Sequence, residues 1–393
     1  MSDNNQPYWQ QKVYAHQWFF MAACIYALLI VPMTLFARAG IGSAILAVPG
    51  MHAYEMLFGY ALALIAGYLL GPMPAWHLLL LLGLWIGART STLIALTGDW
   101  AWLSLASNAG FAILLAWRLL PRLWVAKKWR NRLLAPLLGL ICVAAIVTRV
   151  VGQIPADEWH RYLLDESVHL FALLMLFMGG RMLAPAVAGE FYRQGMALEA
   201  RVQPRIEGGL IITVLAAVLL THVITPLAGM LLIVAGVLAG IRLLRWQLWH
   251  CLARPDLICL GLGYAWLALG LVLLGWVKLN GGEHFSAIIH AITVGALGTL
   301  SVNVIVRVTL LHVKQYPSRI SLIMTITFLM SLAAIARISA DFFEYRENLL
   351  ILAAAAWSTA MLLVLYIVIY AGRKRMRPPG SGVSLAARPG TIR

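Results

Sequence analysis

Long apolar stretches recur along the whole chain, and they constrain its fold more than any other feature of the sequence. The hydrocarbon core of a bilayer is about 30 Å thick, so a helix needs about 20 apolar residues to cross it. Pro72 and Pro74 separate the second stretch from the third, and Thr225-Pro226 marks a break between the seventh and the eighth. Windows of this length predict twelve spans, at about 17–37, 54–71, 76–96, 100–120, 133–151, 163–186, 208–226, 227–246, 257–277, 284–311, 319–338 and 348–371.

Composition excludes a soluble protein of this size. Apolar residues make up 62% of the chain and charged residues 11%, against about 45–50% and about 25% in soluble domains. A membrane barrel is excluded too, because its strands alternate apolar and polar residues instead of running unbroken. The sequence therefore predicts an all-α, polytopic bundle of about twelve transmembrane helices. It forms a single membrane domain, with helices from about 17 to 371 and a basic tail at 372–393.

The net charge of +15 lies mainly in short loops and in the tail, which is typical of a membrane protein and not of a nucleic-acid-binding one. If the N-terminus is inside, the inner loops and the tail hold 20 Lys and Arg residues and the outer loops hold four. Cytoplasmic loops carry this excess in membrane proteins. We therefore expect both termini to be cytoplasmic, the lipid bilayer to be the main partner, and no nucleic acid to be bound.

Histidines can be sorted by depth once the spans are oriented, because a helix rises 1.5 Å per residue. Four of them are expected in the outer leaflet at comparable depth: His52, His169, His222 and His290. Neutral imidazole is the commonest protein ligand of metals, and haem iron takes one or two. These four residues are therefore candidate ligands of a cofactor. Glu55, which shares a helix face with His52, and Arg89, deep in the third span, are candidate cofactor-binding residues beside them.

Structural interpretations of the same residues stay open at this point. A membrane histidine is often held by a hydrogen bond between helices, and Glu55 with Arg89 is equally interpretable as a buried ion pair. Arg149 and Arg337 map to the outer half, near haem propionates if haem is bound, although basic residues near helix ends commonly reach the interface. The four cysteines, which form no CxxC pair, are expected to be packing residues: Cys24, Cys142, Cys251 and Cys259.

Several segments resemble the NnrS family of membrane proteins. The segment MHAYEMLFGYALALIAG at 51–67 resembles the signature of its second helix, and AIIHAITVGALGTLSVNVIVRVTLLH at 287–312 resembles its histidine-glycine helix. FMGGRMLAP at 177–185, GLGYAWLALGL at 261–271 and the opening AHQWFFMAACIYALLIVP fit in the expected order. The resemblance spans nearly the whole chain. It implies a multi-pass protein of the bacterial inner membrane.

The resemblance also implies cofactors and a biological role. Family members are described as containing haem and copper, and they are associated with nitric oxide metabolism and tolerance of nitrosative stress. For this chain it implies haem b and copper as cofactors, and nitric oxide or a related small molecule as ligand. It leaves the redox partner unidentified. The residues that match family positions expected to be functional are His16, His52, Glu55, His290 and His312, and the four histidines among them are the candidate metal ligands.

The chain departs from the family pattern at a few positions. A histidine usual two residues after His52 is replaced by Tyr54, and another, usual just before the GYAW segment, is replaced by Gly261. The tryptophan usual before His52 is Met51. Because two possible ligands are missing, the resemblance supports copper less than it supports haem.

Three functions are compatible with these observations. The first is a haem protein that senses, binds or detoxifies nitric oxide and limits nitrosative damage. The second is a transporter of a metal, haem or a small metal complex, since twelve helices are common among carriers. The third is a respiratory haem–copper nitric oxide reductase, which the absence of adjacent histidines disfavours. The sequence does not decide whether the chain is an enzyme.

Overall fold

A computed structural model describes residues 7, 11–94, 101–127, 132–152, 157–313 and 320–375. Twelve helices account for nearly all of these residues, as the apolar stretches predict. Their bounds are α1 Ala15–Arg38, α2 51–69, α3 Ala75–Ile94, α4 Ala101–Trp124, α5 Leu134–Val151, α6 Asp157–Arg193, α7 Pro204–Leu220, α8 Thr225–Arg245, α9 Pro255–Leu279, α10 Phe285–His312, α11 Ile320–Ser339 and α12 Arg346–Arg375.

Eleven of these helices are long and apolar enough, without interruption, to cross a membrane. The twelfth, α2, changes its winding: Met51–Tyr54 is α-helical, Glu55–Ala61 is π-helical, and Leu62–Leu69 is α-helical again. The predicted break at Thr225-Pro226 is confirmed, because α7 ends at Leu220 and Pro226 lies in the first turn of α8. Proline suits this position, where its missing N–H would have had no helical partner. The chain is therefore a multi-pass membrane protein.

Helix α6 is much longer than the predicted span at 163–186. Its 37 residues correspond to about 55 Å at 1.5 Å per residue, against about 30 Å of hydrocarbon. The additional turns carry polar residues at both ends, in the segments DEWHRY and AGEFYR. A hydropathy window detects only the apolar part of a helix, so the polar extensions were missed.

A short antiparallel ribbon joins the N-terminus to the connection between α2 and α3. Strand β1, Lys12–Tyr14, pairs with strand β2, Pro72–Pro74, so that Val13 lies opposite Met73. Three-residue strands carry too little alternation for the sequence pattern to predict them. The ribbon fixes the start of α1, and with it His16, against the end of the bundle that the charge distribution predicts to be cytoplasmic.

Helices α8 and α9 approach each other closely because glycines remove side chains from their interface. A Cβ on Gly236 would lie 2.7 Å from the carbonyl oxygen of Ala268, and one on Gly229 would lie 2.7 Å from that of Gly275. Membrane helices associate through such small residues because lipid provides no hydrophobic driving force between them. The four cysteines are free and buried, which confirms their predicted role as packing residues.

Substitution of Gly236 by alanine is expected to destabilise the protein, because the added methyl group meets the α9 backbone. Overpacking of this kind costs about 1–3 kcal/mol. Gly240, one turn later on α8, is the matched control, since no atom lies within 4 Å of its Cβ position among the described residues. Gly240→Ala should leave stability unchanged or raise it, because alanine favours a helix over glycine. The measurement is the thermal midpoint of each variant in detergent, and equal midpoints would contradict the close approach.

Candidate functional site

Two histidines, His52 and His290, lie on the predicted outer side of the bundle. His52 lies in the first turn of α2, and His290 lies six residues into α10. The two imidazoles are half-buried and close enough to interact electrostatically. A π-helical segment follows each of them, Glu55–Ala61 in α2 and Ala291–Gly298 in α10. Such segments are rare in proteins and are frequently found at functional sites, so this pair is the first candidate for a ligand-binding site.

Hydrogen bonds fix the same tautomer on both rings. The Thr34 hydroxyl donates its proton to the carbonyl of Ile30 at 2.7 Å, so its oxygen accepts from His52 Nδ1 at 3.2 Å. His290 Nδ1 lies 2.7 Å from the carbonyl of Ser286, which can only accept. Each Nδ1 therefore carries the proton, and each Nε2 carries the lone pair. Metal-bound histidines show this arrangement, in which a hydrogen bond from the far nitrogen orients the ring.

Glu55 and Arg89 form a buried ion pair one turn below His52. Arg89 Nη1 donates to Glu55 Oε2, and the hydroxyl of Tyr26 donates to the same oxygen. Arg89 Nη2 donates to Asn108 Oδ1. Gly59 makes room for the pair, because a Cβ there would lie 2.6 Å from Arg89 Nη1. Glu55 and Arg89 therefore form the buried ion pair that was one interpretation of these residues. Together with Tyr26 and Asn108, the pair connects α1, α2, α3 and α4.

Tyr54, a position where the sequence departs from the resembled pattern, belongs to this network. Its hydroxyl donates toward Asn108 Oδ1 at 3.1 Å and toward the carbonyl of Ala145 at 3.2 Å. Arg149 donates to the Ser104 hydroxyl at 2.7 Å in the same region. Tyr54 is thus engaged with α4 and α5, as part of the packing between helices.

His169 and His222, the other two predicted outer histidines, lie in a separate cluster. His222 Nε2 is 3.0 Å from Glu166 Oε1, and His169 Nδ1 is 3.7 Å from Glu166 Oε2. Lys278 Nζ lies 2.8 Å from the neighbouring carboxylate of Asp165. His169 is fully buried, and neither of its nitrogens has a hydrogen-bond partner within the described ranges. The four histidines therefore fall into two pairs, and a cofactor role for the second pair remains a prediction.

His16 and His312 form a third pair, at the opposite end of the bundle. Their ring centres are 4.0 Å apart, and His312 Nδ1 donates to the carbonyl of Val308 at 2.9 Å. His290 and His312 stand at the two ends of α10, about 33 Å apart along the axis. The four predicted metal ligands thus cannot share one ion.

The number of protein ligands that each metal needs distinguishes haem iron from copper. In the part of the chain that the structure describes, no group of three or more His, Cys, Asp or Glu side chains is arranged to hold a metal ion. Haem iron needs only one or two protein ligands because the porphyrin supplies four. A site of two imidazoles with free Nε2 atoms therefore fits haem better than it fits a protein-bound copper ion.

An apolar cavity lies deeper in the bundle, between α2, α6, α9 and α10. Its volume is about 90 Å³, and its walls, which include Leu64, Met178 and Leu297, are almost entirely apolar. A cavity of this size admits a molecule of a few atoms and offers no charge to hold an ion. Sequence reasoning missed it, and it also missed Thr34 and Ser286. Ser286 was detectable, because it precedes His290 by four residues on one helix face; Thr34 gave no comparable signal.

Replacement of Arg89 by leucine is expected to abolish stable folding, because it leaves the Glu55 carboxylate buried without its partner. Breaking a buried ion pair costs about 3–5 kcal/mol. The double variant Glu55→Leu with Arg89→Leu removes both charges and should recover part of that loss. Yield of monodisperse protein and its thermal midpoint measure the effect. A double variant no more stable than Arg89→Leu alone would show that the pairing is not what matters at these positions.

The comparison with protein families agrees with the helical pattern and with the histidine-bearing segments. The family described as NnrS protein matches residues 12–373, which is nearly the whole chain. No curated protein and no solved structure matches this chain. The match includes α2 and α10, the two helices that carry His52 and His290. The chain belongs to the NnrS family of membrane proteins.

Proposed function

We propose that this protein is a haem-binding protein of the bacterial inner membrane that takes part in the response to nitric oxide and limits nitrosative damage. The observation that carries the proposal is the hydrogen bonding of the two outer histidines. His52 and His290 each commit Nδ1 to an acceptor, Thr34 Oγ1 and the Ser286 carbonyl, and keep Nε2 as a donor to a metal. Haem bound there would supply an iron centre that binds nitric oxide or carries one electron.

The protein's own groups provide orientation and access. The hydrogen bonds to Thr34 and Ser286 restrain the rotation of each ring, so both Nε2 atoms are held in place before any ligand arrives. Nitric oxide is small and uncharged, and it dissolves in lipid. The apolar cavity among α2, α6, α9 and α10 offers such a molecule a place within the bundle without a polar channel.

Copper has less support than haem in this chain. Tyr54 replaces a family histidine, and its hydroxyl is engaged with Asn108 and Ala145. Gly261 replaces the second, and a side chain there would collide with Leu248. The remaining pair that could hold copper, His16 with His312, supplies two imidazoles. Copper binding at that pair stays a prediction from the family resemblance.

The transporter hypothesis has no comparable observation in its favour. Carriers typically bind their substrate where helices are broken near the middle of the membrane. Both α2 and α10 change to π-helical winding but continue without a break. The buried charges Glu55 and Arg89 are paired with each other. Transport is therefore not proposed.

His52→Ala and His290→Ala are each expected to lose most of the bound haem. The measurement is the optical spectrum of detergent-purified protein, oxidised and then reduced, with iron and copper analysed on the same sample. His250→Ala is the matched control, because His250 lies in the connection between α8 and α9 at the other end of the bundle. The wild-type Soret band should shift on reduction and again with nitric oxide. Full haem content in both variants, or no haem in wild type from haem-supplied cells, would refute the proposal.

Thr34→Val is expected to weaken haem retention without unfolding the protein. Valine has nearly the same shape as threonine but cannot accept the hydrogen bond from His52 Nδ1. Removing such an orienting partner typically costs 10- to 100-fold in metal affinity. Thr221→Val is the control, since among the described residues its hydroxyl donates to the carbonyl of Ala217, four residues earlier in the chain, and to no residue of another helix. Competition between the variants and apomyoglobin for haem would measure the difference, and equal retention would show that Thr34 does not orient His52.

A further inference from the structure

Basic residues are scarce on the predicted outer side of the protein, yet they concentrate at one place there. The four basic residues of the outer loops are Arg38, Arg161, Lys278 and Arg346. Lys278 is paired with Asp165 at 2.8 Å. Arg38 ends α1 and Arg346 begins α12, and both act electrostatically on Arg337 near the end of α11. We call Arg38, Arg337 and Arg346 the outer arginine cluster.

The cluster adjoins the two outer histidines. Arg337 Nη2 lies 3.4 Å from both the carbonyl oxygen and the hydroxyl of Ser286. The same Ser286 carbonyl accepts the proton of His290 Nδ1. Arg38 and Arg337 also act electrostatically on His52, whose partner Thr34 is one turn before Arg38 on α1. Arg337 thus lies next to His290 through their shared partner Ser286, and Arg38 and Arg337 lie within electrostatic range of His52.

A single carboxylate is shared between two of these guanidinium groups. Asp341 Oδ1 is 3.7 Å from Arg337 Nη1 and 3.7 Å from Arg346 Nε, both too long for a hydrogen bond. Arg337 Nη1 is buried and has no hydrogen-bond partner among the residues that the structure describes. Two guanidinium groups therefore share one carboxylate at 3.7 Å, and the Arg337 fork is incompletely satisfied among the described residues.

Guanidinium groups held near one another repel, and an anion between them removes that repulsion. Arginine presents paired N–H donors whose geometry matches a carboxylate or an oxyanion. We propose that the outer arginine cluster is a receptor for one carboxylate or small oxyanion group, bound beside His52 and His290. Its position next to a metal rests on the proposed function, whereas anion binding itself does not.

Two sources can supply such a group, and they predict different results. One is a carboxylate side group of a porphyrin bound through His52 and His290. The other is a free oxyanion from the outer solution, for which nitrite is the probe. In either case Arg337 contributes the bidentate hydrogen bond, and Arg38 and Arg346 add positive charge. Loss of Arg337 should therefore reduce the anion affinity most.

The test uses full-length protein in detergent, as wild type and as Arg337→Gln, Arg346→Gln and Arg161→Gln. Arg161 is the matched control, since it is an outer arginine outside the cluster. The haem-free proteins are titrated with sodium nitrite at constant ionic strength by calorimetry. They are also reconstituted with haem and with haem dimethyl ester, in which both carboxylates are blocked. Arg346 is exposed, so its variant keeps the test valid if Arg337→Gln folds poorly.

Nitrite binding that falls at least tenfold in Arg337→Gln and in Arg346→Gln, but not in Arg161→Gln, supports a free oxyanion. Haem binding at least tenfold tighter than binding of its diester, with this preference lost in the cluster variants, supports a porphyrin carboxylate. The proposal is overturned if neither nitrite affinity nor the preference for haem over its diester changes in the cluster variants. Failure of the proposed function is distinct: wild type would then bind no haem, and the nitrite titration would still decide for or against the receptor.

Discussion

The absence of water in the hydrocarbon core governs how this protein arranges its polar residues. A polar group there must find its partner within the protein, because an unsatisfied one costs several kcal/mol. Glu55 and Arg89 meet this requirement together, with Tyr26 and Asn108 completing the network. The same requirement makes His169 unusual, since its nitrogens are buried without a hydrogen bond in the described part of the chain. Polar residues in such a bundle are confined to a few clusters, and each cluster has either a structural or a chemical reason to exist.

Helix α10 organises the chemistry of the protein along the membrane normal. It carries His290 near one end and His312 at the other, and each of them donates a hydrogen bond from Nδ1 to the carbonyl four residues earlier. Both of these hydrogen bonds lie within α10, so the orientation of the two imidazoles requires no acceptor from another helix. The partners, His52 from α2 and His16 from α1, complete a pair at each end. One helix thus carries two histidines that lie about 33 Å apart along its axis.

The sequence was sufficient for the helices and insufficient for the pairings. Apolar length has one physical interpretation in a membrane, so the twelve spans, the break before Pro226 and the class of fold were predictable. Depth along a helix was also inferred from the sequence, which predicts that four histidines lie at one level. Depth does not specify rotation about the helix axis, however, and rotation decides that His52 contacts Thr34 while His222 contacts Glu166. The roles of Thr34 and Tyr54 could not be predicted for the same reason, because they depend on contacts with residues distant in sequence.

The ribbon between β1 and β2 has a consequence for how the protein is made. Lys12–Tyr14 leaves the ribosome before any span, but its partner Pro72–Pro74 follows only after α1 and α2. The N-terminal strand must therefore wait, unpaired, while two spans enter the bilayer and the chain returns to the same side. Once the two strands pair, the ribbon restrains movement of α1 along its own axis. Pairing of the two strands involves no residue of the later helices, so it joins the first two spans as a hairpin without them.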